Sequence, residues 1–328
     1  MTKFYEILLK SVFVGVLLSF EGCIFEYPDP SCFDDVSGSL VVRYDWNEAS
    51  AYTPAGHYRD PDGMAVLLYP PEADDYWRFD IPSAGGGIDA KEGLYTVVSF
   101  NNDTGNIRFF DDKSLSDFYV STSEGNLSDG ITVSRGVAQP PRPYAAFGER
   151  VLTQPEMFWV SVVRDVEVPS LTPPPDTLDM SPLPVVARYE VTVDDIENLS
   201  SAFAYSMSIS GLAAGFRFDT FSRLDEKVIV PGSLAKRSST SIAGSLLTFG
   251  MPEKLPHTSV LSLYFWLRDG SKLMFEFGVA DFISDAPNPL DVHISVKGVS
   301  LPSVEGGSGS GMDVGVDNWD IIDIELST

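Results

Sequence analysis

Apolar and polar residues alternate along most of this chain. In "SLVVRYDW" (39–46) Leu40, Val42, Tyr44 and Trp46 share one face, with Val41, Arg43 and Asp45 on the other. That period of two is the mark of a half-buried strand. "MAVLLYP" (64–70), "GLYTVVSF" (93–100) and "MFWVSVVRDVEV" (157–168) are further short runs rich in β-branched and aromatic residues. "VVARYEVTV" (185–193) alternates through Val185, Ala187, Tyr189, Val191 and Val193, and "AFAYSMSIS" (202–210) through Phe203, Tyr205, Met207 and Ile209. "SVLSLYFWLRDGSKLMFEFGVADF" (259–282) predicts two strands around Asp269-Gly270, "DVHISVKGVSL" (291–301) another, and "NWDIIDIEL" (318–326) a last one. "NNDTGN" (101–106), between "YTVVSF" and "IRFF", predicts a hairpin, because Asn, Asp and Gly tolerate positive φ. Beyond the first residues no amphipathic helix of twelve or more positions is visible. Many short strands separated by turn residues predict β-sandwiches or barrels.

Two stretches break the pattern and divide the chain. "VPSLTPPPDTLDMSPLP" (168–184) holds six prolines, which predicts a semi-rigid linker or a long sheet-edge connection. The other is the start. Lys3 and Lys10 flank "SVFVGVLLSF" (11–20), a run too short for the roughly 20 apolar residues of a membrane-spanning helix. Basic residues, a short apolar core and a small residue make a secretory signal over 1–22, ending at Gly22-Cys23. The five segments expected are a signal peptide (1–22), an acidic, proline-bearing tether (23–36), a sandwich (37–168), a linker (169–184) and a second sandwich (185–328). With about 300 residues after the leader, two domains are the default for such a length.

The chain has only two cysteines, Cys23 and Cys32. Gly22-Cys23 resembles a bacterial lipoprotein processing site, at which the Cys23 thiol carries diacyl (palmitate-type) lipid and becomes the N-terminus. Phe20 and Glu21 depart from the usual residues ahead of the Gly. The alternative is a plain signal peptide with Cys23 paired to Cys32; the closeness of the apolar run to Cys23 favours lipidation. Two acyl chains anchor a protein stably where one does not. Asp29, Asp34 and Asp35 after the cysteine keep the tether hydrated, and resemble a surface-export signal.

Charge removes some functions. With 22 Lys+Arg against 47 Asp+Glu the net charge is −25, and no basic stripe interrupts it, which excludes nucleic acid as an expected partner. Chemistry is sparse. His57, His257 and His293 lie in unrelated contexts, and no metal spacing, CxxC, H-E-x-x-H or G-x-S-x-G is present, so no enzyme, cofactor or metal is expected. "RDPDGM" (59–64) and "DVGVDNWD" (313–320) cluster oxygens that could hold calcium but lack the EF-hand order, so solvated turns are favoured. "EGGSGSG" (305–311) lacks the context of a phosphate loop and reads as a flexible loop. Trp46, Trp159 and Trp266 fall in strand patterns and are expected in the core; Trp77 and Trp319 are the surface candidates for stacking a sugar.

The ordered series "VVRYDW", "GMAVLLYP", "GLYTVVSFNNDTGNIRF", "ERVLTQPEMFW", "LLTFGMP", "WLRDGSKLMFEF", "DVHISVKGVSLP" and "GMDVGVDNWDIIDIEL" resembles a family of Bacteroidales lipoproteins related to fimbrillin-like and fimbrial-anchor proteins. The most specific pieces are "NNDTGNI" and "DVGVDNW". The resemblance implies an all-β fold of two tandem transthyretin-like (Greek-key) β-sandwiches, held at the outer membrane and cell surface by the lipid on Cys23. It also implies partners that are fimbrial subunits, joined by strand pairing, for which the terminal "GMDVGVDNWDIIDIEL" suits an edge or donor strand. An ordinary last strand sealing its own domain is the favoured reading of that segment. The alternative function is a non-catalytic, glycan-binding surface lipoprotein of a polysaccharide-uptake system, which would need a planar platform of exposed aromatics.

Overall fold

A computed structural model describes residues 36–71, 75–132, 137–171, 175–304 and 319–324. Cys23, Cys32 and the leader lie outside the described residues, as does the Gly/Ser stretch 305–311.

The first half runs β1 (Gly38–Tyr44), α1 (Asn47–Tyr52), β2 (Gly63–Tyr69), β3 (Trp77–Pro82), β4 (Gly86–Ala90), β5 (Gly93–Asn101), β6 (Ile107–Phe110), β7 (Tyr119–Thr122), β8 (Arg150–Val151), β9 (Trp159–Val168), β10 (Asp176–Met180) and β11 (Leu183–Pro184). The second runs β12 (Ala187–Asp194), β13 (Ala202–Ala213), β14 (Gly215–Arg217), β15 (Ser222–Arg223), β16 (Lys227–Ser233), β17 (Ala235–Lys236), β18 (Ile242–Thr248), β19 (Val260–Leu267), β20 (Lys272–Gly278), α2 (Ala280–Ser284), β21 (Asp291–Lys297) and β22 (Asp320–Asp323). The fold is all-β, as the alternation predicts. Among the described residues no helix is long and apolar enough to cross a membrane.

Five sheets form. A three-stranded sheet β10-β1-β4 packs on a five-stranded sheet β11-β9-β5-β2-β3. Leu40, Val42 and Tyr44 from β1 meet Met64, Val66 and Leu68 from β2 between them. The other face of β2, Ala65, Leu67 and Tyr69, is buried too, against a four-stranded sheet β15-β14-β7-β6. Cover on both faces explains why "MAVLLY" is continuously apolar rather than alternating. In the second half β17-β18-β12-β21 packs on β22-β20-β19-β13-β16-β8. β12 and β21 bury alternate residues, Tyr189, Val191 and Val193 against Val292, Ile294 and Val296, because the opposite face meets water.

Four expectations change. "NNDTGN" does not close a hairpin: β5 already has β2 and β9 as partners, so the chain turns into the facing sheet, where β6 pairs with β7. Phe109 then lies on Phe100, centroids 4.8 Å apart, as a contact between layers. Second, the proline-rich stretch is the sheet-edge connection and not a spacer. β10 runs parallel to β1, with Leu40 through Tyr44 opposite Asp176 through Met180, and Pro184 pairs with Trp159 at a sheet edge, where a missing donor costs nothing. Third, Phe203 stays 39% exposed although Met207 and Ile209 point inward, because the β13–β19 register slips between Ala202 and Ala204. Asp269-Gly270, by contrast, turns as predicted: Gly270 takes φ +91° and β19 pairs with β20 from Val260–Gly278 to Trp266–Lys272.

The fourth change is that the halves interlock. β14 pairs with β7, which only a glycine at 215 permits, since a Cβ there would collide with the Val120 carbonyl. β8 from the first half lies parallel to β16 in the second. Phe118 and Phe218 stack across the join at 4.1 Å within a cluster that includes Phe100, Phe158, Val186 and Phe249.

Candidate functional site

An open sheet edge presents unpaired N–H and C=O groups, and natural sheets blunt it with charge or proline. β3 carries Arg78 and Asp80, 3.0 Å apart. β10 carries Asp179, 2.6 Å from Arg43 on β1. β21 presents His293 and Lys297 outward, and β11 ends in Pro184.

β22 carries its acids only at its two ends. It adds to the six-stranded sheet in parallel with β20, Leu273 opposite Asp320 and Glu276 opposite Asp323. Between those acids Ile321 and Ile322 are 53% and 37% exposed. The strand is held at its ends. Trp319 packs edge-on against Trp266 at 5.1 Å and Tyr264 at 5.8 Å, while the Ile324 amide donates to the Glu276 carbonyl at 3.1 Å and its side chain joins the core. The terminal segment therefore pairs within its own sheet, as the favoured reading expects, and among the described residues it leaves an outer edge whose central residues are apolar.

The broad face of the same sheet is covered by the first half. Segment 137–149 lies across it, with the Tyr264 hydroxyl donating to the Pro141 carbonyl and the Trp266 indole N–H to the Ala138 carbonyl, each at 3.2 Å. Ser206, Ser208 and Ser262 are fully buried on this face, and burial pushes the Tyr264 phenol up to about 12. A 3-10 turn (Tyr144–Ala146) in the covering segment points Tyr144 and Phe147 into solvent, 87% and 91% exposed. Periodicity could not single them out, because a covering loop has none. Their only signal is a pair of aromatics among prolines in "PPRPYAAFGER".

The other sequence candidates fall as follows. Cys23 lies outside the described residues. Trp159 and Trp266 are buried and Trp46 half-buried. Trp77 and Trp319, taken as surface candidates, are half-buried against the neighbouring clusters and offer no planar platform. Within "RDPDGM", Asp60 accepts from Tyr58 and Arg59 pairs with Asp103, each at 2.9 Å, while the Asp62 amide donates to Asp103 at 3.2 Å. Of "DVGVDNWD" only Trp319 and Asp320 are described. Among the described residues no group of three or more His, Cys, Asp or Glu is placed to hold a metal. The histidines stay apart: His257 Nδ1 is 3.2 Å from Ser284 Oγ and His293 Nδ1 3.3 Å from Glu190.

A family model described as a domain of unknown function, DUF5119, matches residues 32–231, from ahead of β1 through β16. The chain belongs to the DUF5119 family. No curated protein matches it. Among solved structures, this DUF5119 chain is similar to a candidate adhesin from Bacteroides ovatus: TM-score 0.62, 17% identity, 85% of this chain and 97% of that one covered. It is also similar to a candidate polysaccharide-binding protein (DUF1812) from Bacteroides thetaiotaomicron, with TM-score 0.50, 11% identity and coverage of 79% and 90%. The fimbrial anchor protein Mfa2 from Porphyromonas gingivalis matches with TM-score 0.50, 13% identity and coverage of 79% and 90%. At these identities the likeness is one of fold.

Proposed function

We propose that this DUF5119 protein is a lipid-anchored, non-catalytic subunit of the outer cell surface, of adhesion or fimbrial-anchor type, that engages its partner by strand pairing at β22. The observation that carries the reading is the outer edge that β22 presents among the described residues, with Ile321 and Ile322 at its centre. An incoming strand would satisfy its unpaired backbone groups and cover Ile321 and Ile322 in one step. The fold shared with a fimbrial anchor and a candidate adhesin supports the same reading, and so does the leader ending at Cys23. Acylation of Cys23 would hold the base of the assembly at the membrane while the edge faces outward.

The test begins with surface filaments sheared from native cells and analysed by mass spectrometry. The protein is expected with them at low stoichiometry. Ile321→Lys with Ile322→Lys should remove it from the filaments and leave its circular dichroism unchanged. A wild-type protein that stays entirely with membrane vesicles would overturn the fimbrial assignment. A double variant that still travels with filaments would overturn β22 as the docking edge. Separately, Cys23→Ser should move the folded protein from the membrane to the soluble fraction, and its retention would remove the lipid anchor.

A further inference from the structure

A pocket of about 300 Å3 with mixed polar and apolar walls opens where the loop after α1, the turn 101–106 and the segment 154–158 converge, with Leu247 of β18 closing one side. Its floor is built before any ligand arrives. The Trp159 indole donates to Thr53 Oγ1 and its amide to Asn101 Oδ1, each at 2.9 Å. Asn101 Nδ2 passes the chain on to Asp103 Oδ1 at 2.8 Å, and Asp103 Oδ2 accepts from Arg59 at 2.9 Å. Opposite, Glu156 Oε2 takes the amides of Gly105 and Asn106 at 2.6 and 2.9 Å, which fixes both the carboxylate and the turn. The "NNDTGN" turn, which closes no hairpin, thus serves as one wall of this pocket.

Several groups keep hydrogen-bonding capacity toward the opening. Arg59 donates only to Asp103 among the described residues, although its side chain is 64% exposed. Glu156 Oε1 has no hydrogen bond among the described residues. The His57 ring and Thr104 complete the rim, and Met157 provides an apolar patch beside them. We propose that this pocket binds a neutral carbohydrate, one or two sugar rings at the end of a glycan.

Three physical points select that class. Donor groups of Arg59 and acceptor groups of Glu156 and Thr104 meet in this pocket, and adjacent sugar hydroxyls each donate and accept, so one ring can satisfy both. Among the described lining residues Arg59 is the one cation against two carboxylates, Asp103 and Glu156. In a chain of net charge −25 an anionic ligand is therefore disfavoured here, while a neutral one leaves the Arg59–Asp103 pair and the amide contacts of Glu156 intact. A peptide binding by strand addition finds no edge here, since both sides of β5, the strand nearest the turn, are occupied by β2 and β9. The volume lies at the lower end of small-ligand pockets, which fits one or two rings rather than a long chain. No exposed aromatic platform lines the pocket among the described residues, so the proposed site holds a sugar by its hydroxyls, with the CH face of a ring resting on Met157.

The experiment titrates the mature protein with galactose, mannose, fucose, N-acetylglucosamine and lactose, read by saturation-transfer NMR and calorimetry. At least one neutral sugar is expected to bind, and Arg59→Met should weaken it about tenfold to a hundredfold, the effect of losing a charge-assisted hydrogen bond. Thr104→Val leaves the Glu156 anchor intact and should weaken the same sugar by a smaller factor. Ile321→Lys should not change sugar binding, so a failure here is distinguishable from a failure of strand pairing. No binding of any neutral sugar up to ~10 mM, or binding that Arg59→Met and Thr104→Val leave unchanged, would overturn the site. Binding of sialic acid alone would overturn the neutral class.

Discussion

Glu149 accepts the Gly211 amide at 2.9 Å, where β13 bulges between Ile209 and Leu212, and so ties the covering segment to the six-stranded sheet. Burial raises its carboxyl above the ordinary 4.5, against the opposing pull of that amide and of Lys227. A raised carboxyl binds its proton more readily in the fold than in the unfolded chain. The ionised form therefore lowers stability at neutral pH, and stability is regained as pH falls through the raised value toward 4.5. Glu149→Gln keeps an acceptor for Gly211 and is expected to be more stable than wild type at pH 7, with the difference closing below the usual carboxylate range. Urea midpoints measured from pH 7 to pH 4 check this; a difference independent of pH would show that ionisation is not its source. Nothing in the sequence marks Glu149 among its many acids. Its role depends on a bulge 62 positions away in the chain.

At the scale of elements, strands that bury one face were readable and strands that change partners were not. β12 and β21 show their alternation in the letters because one side meets the core and the other water. β5 and β6 looked like a hairpin because local turn chemistry is the same whether a chain folds back in its sheet or crosses to the next. The terminal strand was legible as a strand, but its parallel partner β20 was not. β22 has four residues, so its attachment rests heavily on the indole that precedes it. Trp319→Ala is expected to cost about 2 kcal/mol, less than a fully buried aromatic, and to raise amide exchange on the outer side of β20. Trp319→Phe should retain most of the packing against Tyr264 and Trp266. Exchange at β20 unchanged in the Ala variant would mean that Ile324 alone secures the strand.

Across the whole molecule, the decisive contact is the stack of Phe118 on Phe218, one ring from each half, inside a core to which both contribute. Phe218→Ala should cost about 3–5 kcal/mol, as for other buried aromatics. Because β7 pairs with β14 and β8 with β16, the two halves should melt in one calorimetric transition. Two well-separated transitions in wild type would show that the join is not cooperative. Alone, the sequence determined the all-β class, most strand positions, the acidic character, and the core placement of Trp159 and Trp266. All of these follow from local period, composition and side-chain chemistry. Only the tertiary structure decided that the proline-rich stretch pairs with β1, that the halves share a core, that Trp77 and Trp319 are half-covered, and that Arg59, Thr104 and Glu156 meet around one pocket. Those outcomes depend on which surfaces lie opposite each other after folding, and a one-dimensional pattern records which face a side chain takes but not what faces it.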